Sequence, residues 1–172
     1  RPMAMLAAIL LLTGASALVS YLFPTRWALR QVALVSGADQ LRVFDASYDL
    51  LAIALLASWT FVVARSIRSE GARAVFSRLE VQLFMICAAS VAIVPGAVLL
   101  PGYAHALVYI AERMSLTSAV LACAVVASLG PGRLRLAFHL IALVFFAFLY
   151  RDELLLNRFE DRLDEVVAGL PE

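Results

Sequence analysis

The side chains best suited to chemistry in this sequence are crowded into "YAHALVYIAERMSL", which holds His105, Tyr109, Glu112 and Arg113. If residues 103–129 form one helix, His105, Tyr109, Glu112 and Leu116 recur at steps of four, three and four and share a face. Arg113 then stands about a quarter-turn away. An imidazole, a phenol and a carboxylate along one face could relay a proton or hold a polar substrate group, because ionisable residues inside apolar spans are usually functional. Arg113 and His105 could equally meet a lipid phosphate.

A second reading moves the membrane boundary to about Met114. Residues 103–113 then form a short interfacial helix or re-entrant hairpin, with Glu112 and Arg113 at headgroup depth and the Arg113 guanidinium reaching up to water. An arginine near the bilayer centre costs roughly 2.5–3.5 kcal/mol, which favours the interface. The stretch from Met114 to Leu129, 16 residues, suits a locally thinned bilayer. Both readings stand on the sequence alone.

The other polar candidates are weaker. His139 reads as a hydrogen-bonded interfacial histidine. Asp39, Asp45 and Asp49 fit no metal loop or acid–base pair, and Ser47 and Asp49 suit the start of a helix. Cys87 and Cys123 lie in apolar runs and read as small packing residues. No Gly-rich phosphate loop, Ser/His/Asp set or Cys/His spacing occurs, so the sequence implies no metal or cofactor and assigns no catalytic residue.

These residues are positioned by a chain that is 63% hydrophobic and 16% charged over 172 residues. A soluble domain carries roughly 25% charge, so the composition points to an integral membrane protein. Crossing a hydrocarbon core of roughly 30 Å takes about 20 helical residues. Five apolar segments are candidates: residues 2–23, 48–64, 81–100, part of 103–129, and 134–150. The first could be a signal peptide, with Ala15-Ser16-Ala17 as a cleavage site, but its length favours a retained span. Pro95-Gly96 should kink or end the third. Tyr21, Phe23, Trp27, Tyr48, Tyr103 and Tyr150 fall at span boundaries as an interfacial belt. The connector 24–47 has an amphipathic character suited to lying partly in the interface.

Two rows of small residues suggest helix packing faces: Ala111, Ser115, Ala119, Cys123 and Ala127, and Ala88, Ala92 and Gly96. Residues 151–172 form an acidic amphipathic helix, with Leu156, Phe159, Leu163, Val166 and Leu170 at steps of three and four. The expected fold is all-α: a polytopic helical membrane bundle of about five transmembrane helices over 1–150, followed by the amphipathic exit helix. An Arg at position 1, and a stop just past the Gly169 cap, suggest a piece of a longer polypeptide, whose remainder would be a partner.

All 14 basic residues are Arg. Codon bias in a GC-rich bacterial genome accounts for that, and no basic aromatic stretch suggests nucleic acid. Seven Arg fall on each side of five spans. The compact Arg-rich loops at 65–80 and 130–135 lean toward the cytoplasm. The location implied is a bacterial inner (plasma) membrane, multi-pass, with an extracytoplasmic C-terminus.

"ERMSLTSAVLACAVV", the "GPGRLR" turn, the aromatic last span and the acidic exit helix together resemble the C-terminal membrane half of bacterial GT-C-type glycosyltransferases. The resemblance covers residues 80–172. It implies a polyprenyl-phosphate-linked sugar as donor, membrane lipid as surroundings, and a catalytic carboxylate in a first external loop. "RQVALVSGADQLRVFDAS" does not match that loop, so the carboxylate would lie outside this sequence. The expected function is therefore a membrane-embedded module that lines a lipid-carrier groove. A transporter or channel module, and a non-catalytic structural subunit, are the alternatives.

Overall fold

The computed structural model describes residues 2–27, 31–102 and 107–168. In chain order its elements are α1 (Pro2–Leu22), β1 (Thr25–Arg26), α2 (Gln31–Leu34), a 3-10 turn (Ala38–Leu41), α3 (Ser47–Glu70) and α4 (Ala72–Phe76). Then follow α5 (Leu79–Ile93), β2 (Ala97–Val98), α6 (Ile110–Leu129), a second 3-10 turn (Gly132–Leu134) and α7 (Arg135–Ala168). Among the described residues the fold is all-α apart from the antiparallel pairing of β1 with β2 and one bridge between Val98 and Leu107. Four helical stretches among the described residues are long and apolar enough to cross a membrane: Met3–Leu22, Ser47–Glu70, Ile110–Leu129 and Gly132–Asp164.

The expected third span is the exception. Its helix, α5, has 15 residues, and at 1.5 Å each these rise only about 22 Å, short of the roughly 30 Å a span needs. The cause is Pro95. It lacks an N–H, so the Val91 carbonyl four residues earlier loses its helical donor. Val94 turns extended, and the chain leaves through β2, where Val98 and Leu107 exchange N–H···O bonds of 2.9 Å each.

Side chains from elsewhere take over at the broken end. Gln31, buried in α2, donates from Nε2 to the Val91 carbonyl at 2.7 Å and also to that of Val94. Ser16 of α1 donates to the Ile93 carbonyl at 2.6 Å. The connector expected in the interface thus folds inward, with Leu34 packed on Val91 and Ala111. Gln31→Leu strands two carbonyls away from their donor and should cost about 2 kcal/mol. The check is the thermal unfolding midpoint in detergent micelles; an unchanged midpoint would mean that water, not Gln31, meets those carbonyls.

The largest core cluster gathers Val62 of α3, Val75 of α4, Val81, Phe84 and Ala88 of α5, and Val125 and Leu129 of α6. Within α6 the buried row is Ala111, Ser115, Ser118, Val125 and Leu129, with Ala122 partly buried against the same core. Those steps of four and three hold one face, as in a heptad seam. The expected row ran in steps of four throughout, and each such step turns 40° further round the helix, roughly 160° in all. Ala111 and Ser115 are therefore buried and Ala119 half-buried, while Cys123 and Ala127 are exposed. Across the seam Ser118 donates to Cys87 Sγ at 3.3 Å. On α5, Ala88 is buried and Ala92 exposed; Gly96, just past it, is buried.

The fifth apolar segment and the amphipathic exit helix are one uninterrupted helix. α7 has 34 residues and extends about 51 Å, running straight through the boundary expected at 150/151. The charges at Arg151 and Asp152 do not interrupt backbone hydrogen bonding, so nothing there ends the helix. Gly169, Leu170 and Pro171, read as the cap region, lie outside the described residues.

Candidate functional site

α6 begins at Ile110, between the two starts weighed from the sequence. Tyr109 precedes it in the left-handed region at φ 62, the sole non-glycine there among the described residues. Its carbonyl accepts the Arg113 N–H at 3.1 Å, so the turn that starts the helix holds this conformation in place. The single-helix face through Tyr109, Glu112 and Leu116 therefore does not form. His105 and Tyr103 lie outside the described residues. Tyr109 and Leu116 are exposed at 62% and 55%, and Arg113 is exposed. Glu112 is half-buried in the first turn of α6, where a carboxylate suits the helix dipole, and its buried Oε2 has no partner. None of these residues lines either of the two cavities described below.

The enclosed space lies further along α6. A cavity of about 380 Å³ is walled by Leu55, Leu56 and Trp59 of α3, by Ala119, Ala122, Cys123 and Val126 of α6, and by Phe84 and Phe138. The 36–41 turn roofs it, contributing Ser36, Gly37 and Gln40. No lining side chain is charged. Trp59 is held by Nε1–H donation to the Ala122 carbonyl at 3.3 Å and by its tilted contact with Phe84, 5.4 Å between ring centroids. Cys123 both lines the cavity and is exposed, so the space is reachable from outside the helices. Small residues at 119, 122 and 123 make the room, a consequence of the small-residue row leaving the packing seam.

Its roof is tied down by a polar knot. Gln40 Nε2 donates to Asp39 Oδ2 at 2.8 Å and to Ser115 Oγ at 2.7 Å, and Ser115 Oγ donates to Asp39 Oδ2 at 2.7 Å. Gly37 lies so close to α6 that a Cβ there would fall 2.5 Å from the Ala119 nitrogen. Only glycine fits this approach, and its φ of 73 also favours glycine. The polar end of the cavity therefore lies at Ser115, nearer the start of α6 than Ala119.

A second polar cluster, absent from the sequence reading, joins α3 to α7. Tyr48 is wholly buried and Asp152 nearly so. The Tyr48 hydroxyl donates to Asp152 Oδ2 at 2.7 Å. Arg151 grips Asp152 Oδ1 from Nε at 2.8 Å and Nη2 at 2.7 Å. It also lies over the Phe148 ring at 5.1 Å and reaches Asp45 at 3.8 Å. Tyr48 meets Phe145 and Phe148 edge-on at 5.9 and 5.8 Å. The boundary tyrosine expected in the interfacial belt is the pin between two helices. A usable signal was present: Phe145, Phe148 and Asp152 fall at steps of three and four on one face of α7.

Just before α3, Ser47 does not cap the helix from its side chain. Asp45 accepts both the Ser47 hydroxyl and the Ser47 N–H, the latter at 2.8 Å. Those two hydrogen bonds, hydroxyl first, hold the exposed Asp45 carboxyl below its ordinary value, against slight desolvation and with help from Arg151. His139 Nδ1 is 2.6 Å from the Arg135 carbonyl, one turn back on its own helix, and no cluster of metal-binding side chains occurs among the described residues.

The chain matches no protein-family model, no curated protein and no solved structure.

Proposed function

We propose that this chain is a membrane-embedded helical module whose α3–α6–α7 cavity takes the hydrocarbon chain of a lipid. The observation that carries the reading is the uncharged cavity of about 380 Å³ set among helices long and apolar enough to span a bilayer. Its size falls in the usual range for ligand pockets, roughly 300–1,000 Å³. Large apolar side chains such as Leu10, Leu50, Leu136 and Phe146 are exposed on the outer faces of α1, α3 and α7. Lipid covers such surfaces without cost, whereas water does not.

The resemblance to GT-C-type glycosyltransferases makes a polyprenyl-phosphate-linked sugar the occupant proposed. Its isoprenoid chain would lie along Leu55, Trp59, Ala122 and Phe138, with its polar end toward Gln40. Arg113 stands six residues before Ala119, about 9 Å along the helix axis and about 120° round it, outside the cavity, and is the contact proposed for a phosphate that emerges from its mouth. In this reading the chain positions a carrier lipid and supplies no catalytic carboxylate. Transport is less well supported, because Tyr109 and Leu116 point outward rather than into the cavity.

Cys123 provides the test. With Cys87→Ser as background, Cys123 in lipid nanodiscs should react several-fold more slowly with a maleimide when polyprenyl phosphate is present. Ala122→Phe, which fills the cavity, should abolish that protection. Equal protection by any phospholipid would support chain binding and remove the carrier lipid. No protection by any lipid would leave only a structural role.

A further inference from the structure

At the opposite end of α6 from Arg113, the fold gathers basic residues that lie apart in sequence. The last turns of α3 bring Arg65 and Arg68, α4 brings Arg73, the start of α5 brings Arg78, and the turn into α7 brings Arg133 and Arg135. Only Glu70 and Glu80 oppose them there. Glu70 is occupied by Arg78 at 2.6 Å, and Arg78 also donates to the Ser128 carbonyl at the end of α6. Among the described residues, Arg65, Arg68, Arg73, Arg133 and Arg135 form no ion pair, and all five are exposed.

The Arg65 guanidinium is not simply extended into solvent. It reaches across to the Gly132 turn, where a Cβ on Gly132 would meet its Nη1 at 2.9 Å. That places the Arg65 guanidinium at the turn that carries Arg133. An open notch lined by Phe61, Ala64, Arg65, Arg68 and Ser69 lies alongside. Its rim changes from apolar to basic over two turns of α3, as a site for an acyl chain beneath a headgroup does.

We infer that this notch is a binding site for the headgroup of an anionic phospholipid, held by Arg65, Arg68 and Arg133. The inference rests on α3 spanning the membrane as proposed, but not on what fills the α3–α6–α7 cavity. Guanidinium groups suit phosphate oxygens because their donors match them in pairs. The apolar upper rim at Phe61 and Ala64 selects a lipid over a free anion. Basic clusters at the ends of spanning helices bind anionic lipids in this way, each cation adding about fivefold to the affinity.

The test is native mass spectrometry of the full chain released from micelles with defined phosphatidylglycerol and phosphatidylcholine. Retention of phosphatidylglycerol over phosphatidylcholine is expected. It should fall about fivefold for R68Q and again for R133Q, two exposed positions whose change leaves the core intact. Arg158→Gln and Arg162→Gln, on the distal part of α7, should leave it unchanged. Maleimide protection of Cys123 should persist in R68Q, which separates this site from the cavity. Equal retention of the two lipids, an undiminished preference in R68Q/R133Q, or full competition by inorganic phosphate would each overturn the inference.

Discussion

Asp152→Ala will loosen α7 from α3 and lower the stability of the chain by about 2–3 kcal/mol, the larger part from the Tyr48 hydroxyl left buried without a partner. Tyr48 is fully enclosed and fixed by edge contacts with Phe145 and Phe148, so its hydroxyl cannot swing out to water. The loss from Arg151 is smaller, because its side chain is 48% exposed and retains Asp45 nearby. Asp152→Asn should recover much of the loss, since its amide oxygen still accepts from Tyr48. Tyr48→Phe should cost about 1.5–2 kcal/mol, because the hydrogen bond it removes ends on a carboxylate. Unfolding in a denaturing detergent mixture measures each variant, and the double variant Tyr48→Phe/Asp152→Ala should be no worse than Asp152→Ala alone. If the two losses simply add, the residues are not coupled and the pin between the helices is absent. Because α7 also contributes Phe138 to the cavity wall, Asp152→Ala should in addition weaken lipid protection of Cys123.

How far the sequence could lead is clearest where two kinds of information meet. Length and hydropathy locate α1, α3, α6 and the first half of α7, because helices long and apolar enough to cross a membrane leave long uninterrupted runs. The same measure misjudges residues 81–100, since hydropathy counts side chains while Pro95 acts through a missing backbone donor. The proline was legible as a break; the repair by Gln31 was not, because it joins residues 60 apart. Tyr48 and Asp152, 104 residues apart, are hidden in the same way. Each has a plausible local explanation, as an interfacial tyrosine and an exit-helix acid, and neither explanation mentions the other. The cavity follows from a subtler point. Small residues every four positions drift round a helix, so the row that packs at Ser115 opens space at Cys123. The sequence showed the row but not where along it the neighbouring helix departs.

Gly37→Ala is expected to meet the closest backbone contact of the alanine substitutions at Gly14, Gly37, Gly71, Gly102, Gly130 and Gly132. The new Cβ would lie 2.5, 2.6 and 2.7 Å from the nitrogen, Cα and Cβ of Ala119, and the first two of these are helix backbone that cannot move aside. Overpacking of this kind costs about 1–3 kcal/mol, and the left-handed φ of 73 adds about 1–2 kcal/mol for a residue with a side chain. The 36–41 turn should therefore lift from α6, breaking the bonds from Gln40 and Asp39 to Ser115 and removing the roof of the cavity. Gly71→Ala supplies the control. Its φ is 85, yet nothing lies within 4 Å of the added methyl, so it should suffer the conformational cost alone. The difference between the two variants in unfolding free energy then gives a lower limit to the steric cost of the approach to α6. Gly71 at ψ 148 lies in a region nearly confined to glycine, whereas Gly37 at ψ 5 is in the milder left-handed region. Ala119→Gly in the Gly37→Ala background should rescue little, because it removes only the Cβ contact and leaves the backbone in place. A Gly37→Ala protein that loses no more than about 1–2 kcal/mol, the cost of the left-handed conformation alone, with Cys123 still protected by lipid, would show that the turn does not sit against α6 and that the cavity is not closed by it.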